Sequence, residues 1–179
     1  MLYFLGYIPP SPLQKEIHQL KMDFKENYKS SHSLNAPPHI TLISPFKIKN
    51  KDFEDILKRF AGHQTILNIE LQDFSHFGQK VIFIDVKQTP DLMDFQKSLE
   101  EIIQENNDVF DFQSSRKNFH PHLTLAFKDL SLSNFKRAWE VYKDKEFKAS
   151  FLVKELILFK HQEKVWDVFK VFNLSEKRF

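Results

Sequence analysis

Cysteine is absent from the chain, which removes disulfide staples, thiolate metal sites and a cysteine nucleophile at one stroke. Glycine is nearly as scarce. Gly6, Gly62 and Gly78 are the only three, too few and too scattered for a dinucleotide-binding fingerprint or a phosphate-cradling loop, so ATP or NAD chemistry built on those devices is excluded. No run approaches the roughly 20 apolar residues needed to span a bilayer, and the opening MLYFLGYIPPSP lacks the positive flank of a secretion signal. Charge of one sign is missing too: 26 Lys and Arg against 24 Asp and Glu leave a formal +2. That balance gives no sign of a broad basic surface for tracking long nucleic-acid backbones, while a small phosphate ligand or a nucleic-acid end stays open. These absences imply a soluble, cytoplasmic protein with no membrane partner.

What is present is a core. The 179 residues are 41% hydrophobic and include 20 phenylalanines, the composition of a packed globule the size of one domain or of two small lobes sharing a core. LYFLGYI reads as a strand, followed by Ser11-Pro12 as a helix cap with proline at the first helical position. Leu13, Ile17, Leu20 and Phe24 then recur at helical steps and predict a helix to about Tyr28. Phe53, Ile56, Leu57 and Phe60 suggest a short helix, and TILNIELQDFSHF and KVIFIDV a hairpin around Gly78. The order then repeats: a strand VIFIDV, a cap at Thr89-Pro90, and a helix on Leu92, Phe95, Leu99, Ile102 and Ile103. A loop NNDVFDFQSSRKNF follows, then a capped helix carrying Phe135, Ala138, Trp139 and Tyr142. Two closing strands are expected, FKASFLVKELILF and KVWDVFKVFNL.

The repetition has a sharper core. Pro38-His39-Ile40-Thr41-Leu42 and Pro121-His122-Leu123-Thr124-Leu125 are nearly the same word. The two histidines lie 122 − 39 = 83 residues apart and the two cap prolines 90 − 12 = 78, the near-constant offset that duplication produces, with approximate repeats 1–79 and 80–179. In a strand, His39 and Thr41 project to one face and Ile40 and Leu42 to the other, and the second word behaves likewise. Each word sets an imidazole beside a hydroxyl over an apolar backing. Two imidazoles opposed across a groove suit phosphodiester chemistry, one neutral to take a proton and one charged to give it, both forms being accessible near neutral pH. The hydroxyls of Thr41 and Thr124 can hold the non-bridging phosphate oxygens. Neither a metal nor a cofactor is needed.

On the words HITL and HLTL the chain resembles the two-histidine (2H) phosphoesterase superfamily, the group containing the bacterial cyclic phosphodiesterases described as 2′-5′ RNA ligases. The resemblance implies an α+β fold of two pseudo-twofold-related lobes, with antiparallel sheets around a central cleft and helices packed outside. It implies cleavage of a 2′,3′-cyclic phosphate or a 2′-5′ phosphodiester on a nucleotide or RNA end. His39 and His122 would be the acid-base pair, with His39 leaning to acid and His122 to base, and Thr41 and Thr124 the phosphate holders. One position departs from the pattern: many RNA-acting relatives carry arginine three residues after the second threonine, where this chain has Phe127 followed by Lys128.

Other readings compete. A single His-x-Thr is ordinarily a strand with a packed histidine and a β-favouring threonine; it is the pairing that argues for a site. His120 and His122 form a His-x-His that could aim both rings at one metal, giving a metal-dependent hydrolase. A third possibility is a non-catalytic module that binds a nucleotide or RNA end. Phe46 and Phe119 flank the words and could stack on a base, and Arg116 and Lys128 could reach a phosphate. Core packing for the phenylalanines and plain solvent exposure for the cations are the competing explanations.

Overall fold

In the computed structural model, which describes residues 1–114 and 118–176, the chain runs β1 (Tyr3–Tyr7), α1 (Leu13–Tyr28), a 3₁₀ turn (His32–Asn35), β2 (Ile40–Ile48), α2 (Phe53–His63), β3 (Leu67–Phe77), β4 (Val81–Val86), α3 (Pro90–Glu105), β5 (Phe110–Asp111), β6 (His122–Ala126), α4 (Leu132–Tyr142), β7 (Lys148–Val153), β8 (Glu155–Gln162) and β9 (Val165–Asn173). Two antiparallel sheets form, in the orders β5-β2-β1-β8-β9 and β6-β4-β3-β7. The architecture is α+β and bilobal. Setting β2-β1-β8-β9 beside β6-β4-β3-β7 shows the relation between the lobes: each word starts or precedes the outer strand of a pair whose inner strand leads into the repeated helix. Both sheets draw on both halves of the chain, since β3 joins β4 while β8 and β9 return to β1.

Most elements follow from their residues. Thr89 caps α3 by accepting the Leu92 amide at 3.4 Å, with Pro90 as the first helical residue. Ser131 caps α4 in the same way through Asn134. Phe77 and Val81 close the β3–β4 hairpin around Gly78, whose φ of 55° suits a residue without a Cβ. Ser11 differs from expectation. It makes no capping bond, because the first amides of α1 are met by backbone carbonyls, Gln14 donating to Pro10 and Lys15 and Glu16 to Pro12.

Two further differences concern strands. FKASFLVKELILF is not one strand but two, broken at Lys154, with β7 pairing β3 in one sheet and β8 pairing β1 in the other. A run of apolar residues carries no mark of which sheet each part joins, and the crossing falls where the chain passes between lobes. The loop before the second word also contains β5, whose two residues pair with Lys47 and Ile48 and are too few to show any periodicity.

A continuous apolar cluster joins the two lobes, from Leu5, Ile17 and Ile40 through Ile84, Leu123 and Leu125. The repeated helices pack crosswise, α1 against β6 and α3 against β2, while β2 and β6 lie against one another. Each lobe's motif strand is therefore held by the helix of the other word's half. No helix among the described residues is long and apolar enough to cross a membrane.

Candidate active site

The alternation within the words places each side chain. Ile40 and Leu42 are buried, as are Leu123 and Leu125, whereas His39, Thr41, His122 and Thr124 are half-buried on the opposite faces. Where β2 and β6 adjoin, two cavities open. The larger, about 1060 Å³, is lined by His122, His120, Phe119 and Thr41; the smaller, about 690 Å³, by His39, Thr124 and again Thr41. Thr41 thus stands on the partition between them.

Both imidazoles are tethered alike. Nδ1 of His39 donates to the Pro37 carbonyl at 2.7 Å and Nδ1 of His122 to the His120 carbonyl at 2.8 Å. A carbonyl only accepts, so Nδ1 carries the proton in both rings and Nε2 is left as the atom that titrates. Beneath each ring lies a pair of phenylalanines from corresponding strands. Phe4 of β1 and Phe159 of β8 stack at 4.2 Å below His39, and Phe83 of β4 and Phe77 of β3 meet at 4.3 Å below His122. Burial pushes His39 down to about 4; the bond to Pro37 opposes this, and the charges of Lys21 and His122 add to it. His122 is lowered as well, first by burial, with its bond to His120 and the Asp85 carboxylate opposing and the charge of His120 assisting.

The family model for the 2′-5′ RNA ligase superfamily matches residues 9–165. The chain belongs to that superfamily. Among its relatives are proteins named "Putative phosphoesterase" from Staphylococcus saprophyticus, 25% identical with 98% of this chain and 100% of that one covered, and from Bacillus cytotoxicus, 26% identical with 90% and 92% covered. Solved structures share its fold: TT0787 of Thermus thermophilus at a TM-score of 0.71 and 15% identity, covering 99% of this chain and 100% of that one, and Escherichia coli LigT complexed with 3′-AMP at 0.66 and 20%, covering 96% and 97%. Membership in a phosphoesterase superfamily agrees with the resemblance read from HITL and HLTL.

Within this superfamily member the lesser candidates separate. Phe46 is 1% exposed and packs edge-on against Phe110 and Phe112 in the core, so it has no face to offer a base; its proposed stacking role is corrected. Phe119 is half-buried and lines the His122 cavity. Lys128, exposed and at φ 62°, lines the His39 cavity, with its ammonium 5.5 Å from the Phe127 ring. Arg116 lies outside the described residues. Nε2 of His120 pairs with Asp85 at 2.9 Å, and among the described residues no group of three or more His, Cys, Asp or Glu could hold a metal ion.

Several lining residues escaped the sequence reading. His161, Lys164 and Trp166 reach the His39 cavity from the β8–β9 turn, where Trp166 sits 4.7 Å from His161 and edge-on to Phe4 at 4.8 Å. Nothing local marks them, because β8 approaches the cavity through pairing with β1, and β9 through pairing with β8. Lys21 is different. It is 1% exposed and falls with Ile17, Phe24 and Tyr28 on the buried face of α1. A lysine on the apolar stripe of an amphipathic helix was the signal available.

Proposed function

We propose that this protein is a metal-independent phosphodiesterase that hydrolyses a 2′,3′-cyclic phosphate or a 2′-5′ phosphodiester of a nucleotide or RNA end. The observation that carries the reading is the matched tethering of His39 and His122 through Nδ1, which leaves each Nε2 for proton transfer, His39 in the cavity it lines with Thr41 and Thr124 and His122 in the adjoining one, which Thr41 also lines. Water attacks phosphorus as one neutral imidazole takes its proton. The bond to the ribose oxygen breaks as the other, charged imidazole protonates the leaving oxygen, giving a phosphomonoester and a free hydroxyl. Solvent exchange then restores the two protonation states. The hydroxyls of Thr41 and Thr124 donate hydrogen bonds to the non-bridging oxygens, where charge accumulates. LigT, which shares the fold, holds 3′-AMP, a nucleotide bearing the kind of phosphate that opening a cyclic ester leaves behind.

The surroundings favour an order. His39 is pushed furthest from the ordinary histidine range and has a lysine nearby, whereas Asp85 supports the charged form of His122. His39 is therefore assigned as base and His122 as acid, the reverse of the lean suggested by the resemblance.

The test is a panel of cyclic mononucleotides, 2′-5′ dinucleotides and cyclic-ended RNA, assayed with a chelator present. Turnover should persist in chelator, and replacement of either histidine by alanine should lower it about 10²–10⁴-fold without unfolding the protein. Activity that disappears with the chelator and returns with added metal points instead to metal hydrolysis, and tight binding without turnover on any substrate to a binding module.

A further inference from the structure

Lys21 presents a problem that packing alone does not solve. Its side chain is 1% exposed, yet among the described residues no carboxylate pairs with it. Nζ donates to the carbonyls of Ser33 at 2.9 Å and Ala36 at 3.2 Å. An ammonium has three protons, so one remains after those two bonds. The same side chain lines the cavity that holds His39, Thr41 and Thr124. Taking a charge out of water without a counter-ion is costly, and burial lowers the lysine to about 8, which still leaves it mostly charged at neutral pH.

The acceptors are held in place from the other lobe. Asp129 accepts the Ser30 hydroxyl at 2.7 Å and the Ser31 and His32 amides at 2.8 and 2.9 Å, and the Ser33 hydroxyl donates to the Leu125 carbonyl at 2.6 Å. The turn that carries Ser33 is thereby fixed to the second motif strand, and Lys21 is fixed to the turn. Nζ is a charge in a rigid mount beside the site.

The matching position of α3 carries no charge. Buried residues of α1 fall at 17, 21, 24 and 28, and those of α3 include Leu92, Gln96, Leu99 and Ile103 at the same spacing. There the polar position is a neutral amide, Gln96, whose Nε2 donates to the Glu100 carboxylate at 2.9 Å and to the Leu42 carbonyl at 3.4 Å. A carbonyl beneath a helix in this fold is satisfied by an N–H. The ammonium of Lys21 needs a different explanation.

We infer that Lys21 is an anion-binding residue of the site, donating its third N–H hydrogen bond to a non-bridging oxygen of the phosphate held between Thr41 and Thr124. The phosphate supplies the counter-charge that the buried lysine lacks. This rests on the proposed phosphodiester site, but binding of inorganic phosphate needs no turnover, so the two ideas fail separately.

The experiment measures the Kd of inorganic phosphate by calorimetry for the wild type, Lys21→Gln and Lys21→Arg, with the thermal midpoint of each. Lys21→Gln keeps an N–H for the carbonyls and removes the charge. It should fold with a midpoint near that of the wild type and bind phosphate about 10- to 100-fold more weakly, as expected for loss of a hydrogen bond to a charged group. Lys21→Arg should keep part of the affinity. A Lys21→Gln protein that binds phosphate within twofold of the wild type overturns the assignment and makes Lys21 a strut for residues 33–36. Should Lys21→Gln not fold, the nuclear resonance of the wild-type Lys21 ε-carbon decides. It should shift when phosphate is added, and an unmoved resonance at saturating phosphate also overturns the assignment.

Discussion

At the scale of single residues, the site was legible where chemistry and local alternation coincide. His39, Thr41, His122 and Thr124 could be singled out because the words repeat and because a strand sends every second side chain to one face, as their burial shows. The aromatic floors were not legible, since Phe4, Phe77, Phe83 and Phe159 are four of 20 phenylalanines and only strand pairing selects them. The burial of both rings has a measurable consequence. Proton transfer as proposed requires one ring neutral and one charged, and both titrate below the ordinary histidine value of 6.5, His39 at about 4. Below about pH 4 both rings are charged and no base is available; above about 6.5 both are neutral and no acid is available. The free enzyme should therefore show its highest kcat/KM between those limits, with a fall approaching tenfold per pH unit on the alkaline side where chemistry limits the rate. A rate that holds level from pH 6 to 8 would remove the acid-base pair as drawn.

At the scale of elements, periodicity located helices and most strands but could not assign strands to sheets. The division of β7 from β8 at Lys154 lies inside one apolar stretch, and its reason is the crossing between lobes, a fact about partners and not about composition. Gly6 shows how partners can constrain one residue. It pairs with Thr41, and a Cβ added there would run into the backbone carbonyl of Ile40, the residue between His39 and Thr41. The backbone cannot yield locally without moving the word. Gly6→Ala should destabilise the protein by about 1–3 kcal/mol, the usual cost of overpacking a close contact. It should also lower turnover more than tenfold in the fraction that remains folded, because β2 must shift away from β1. Denaturant titration and single-substrate assays would measure the two effects, and an alanine variant of native stability and rate would show that β1 and β2 tolerate a wider spacing.

At the scale of the whole molecule, the near-constant offset between the repeated features suggested that distant segments meet, and β2 and β6 do lie together under crosswise helices. The net charge of +2 concealed how that charge is distributed. The His39 cavity is lined by Lys21, Lys128 and Lys164 with no carboxylate among its described lining residues, whereas the His122 cavity includes Asp94 and Glu100 beside Lys97. One side of the partition is cationic and the other is mixed. A polyanionic substrate should enter with its further phosphates on the lysine side, and attraction over several ångströms acts on encounter more than on chemistry. Lys164 stands at the outer end of that side, on the β8–β9 turn, and no proton transfer depends on it. Lys164→Glu should therefore lower kcat/KM for a cyclic-ended oligonucleotide several-fold while leaving kcat near the wild-type value. Its effect should be smaller on a cyclic mononucleotide, which carries no further phosphate. Added salt should reduce the difference between wild type and variant, since screening shortens to about 8 Å at physiological ionic strength and further above it. Equal losses on the mononucleotide and the oligonucleotide, or a difference indifferent to salt, would mean that the chain of phosphates leaves the cleft by the other cavity.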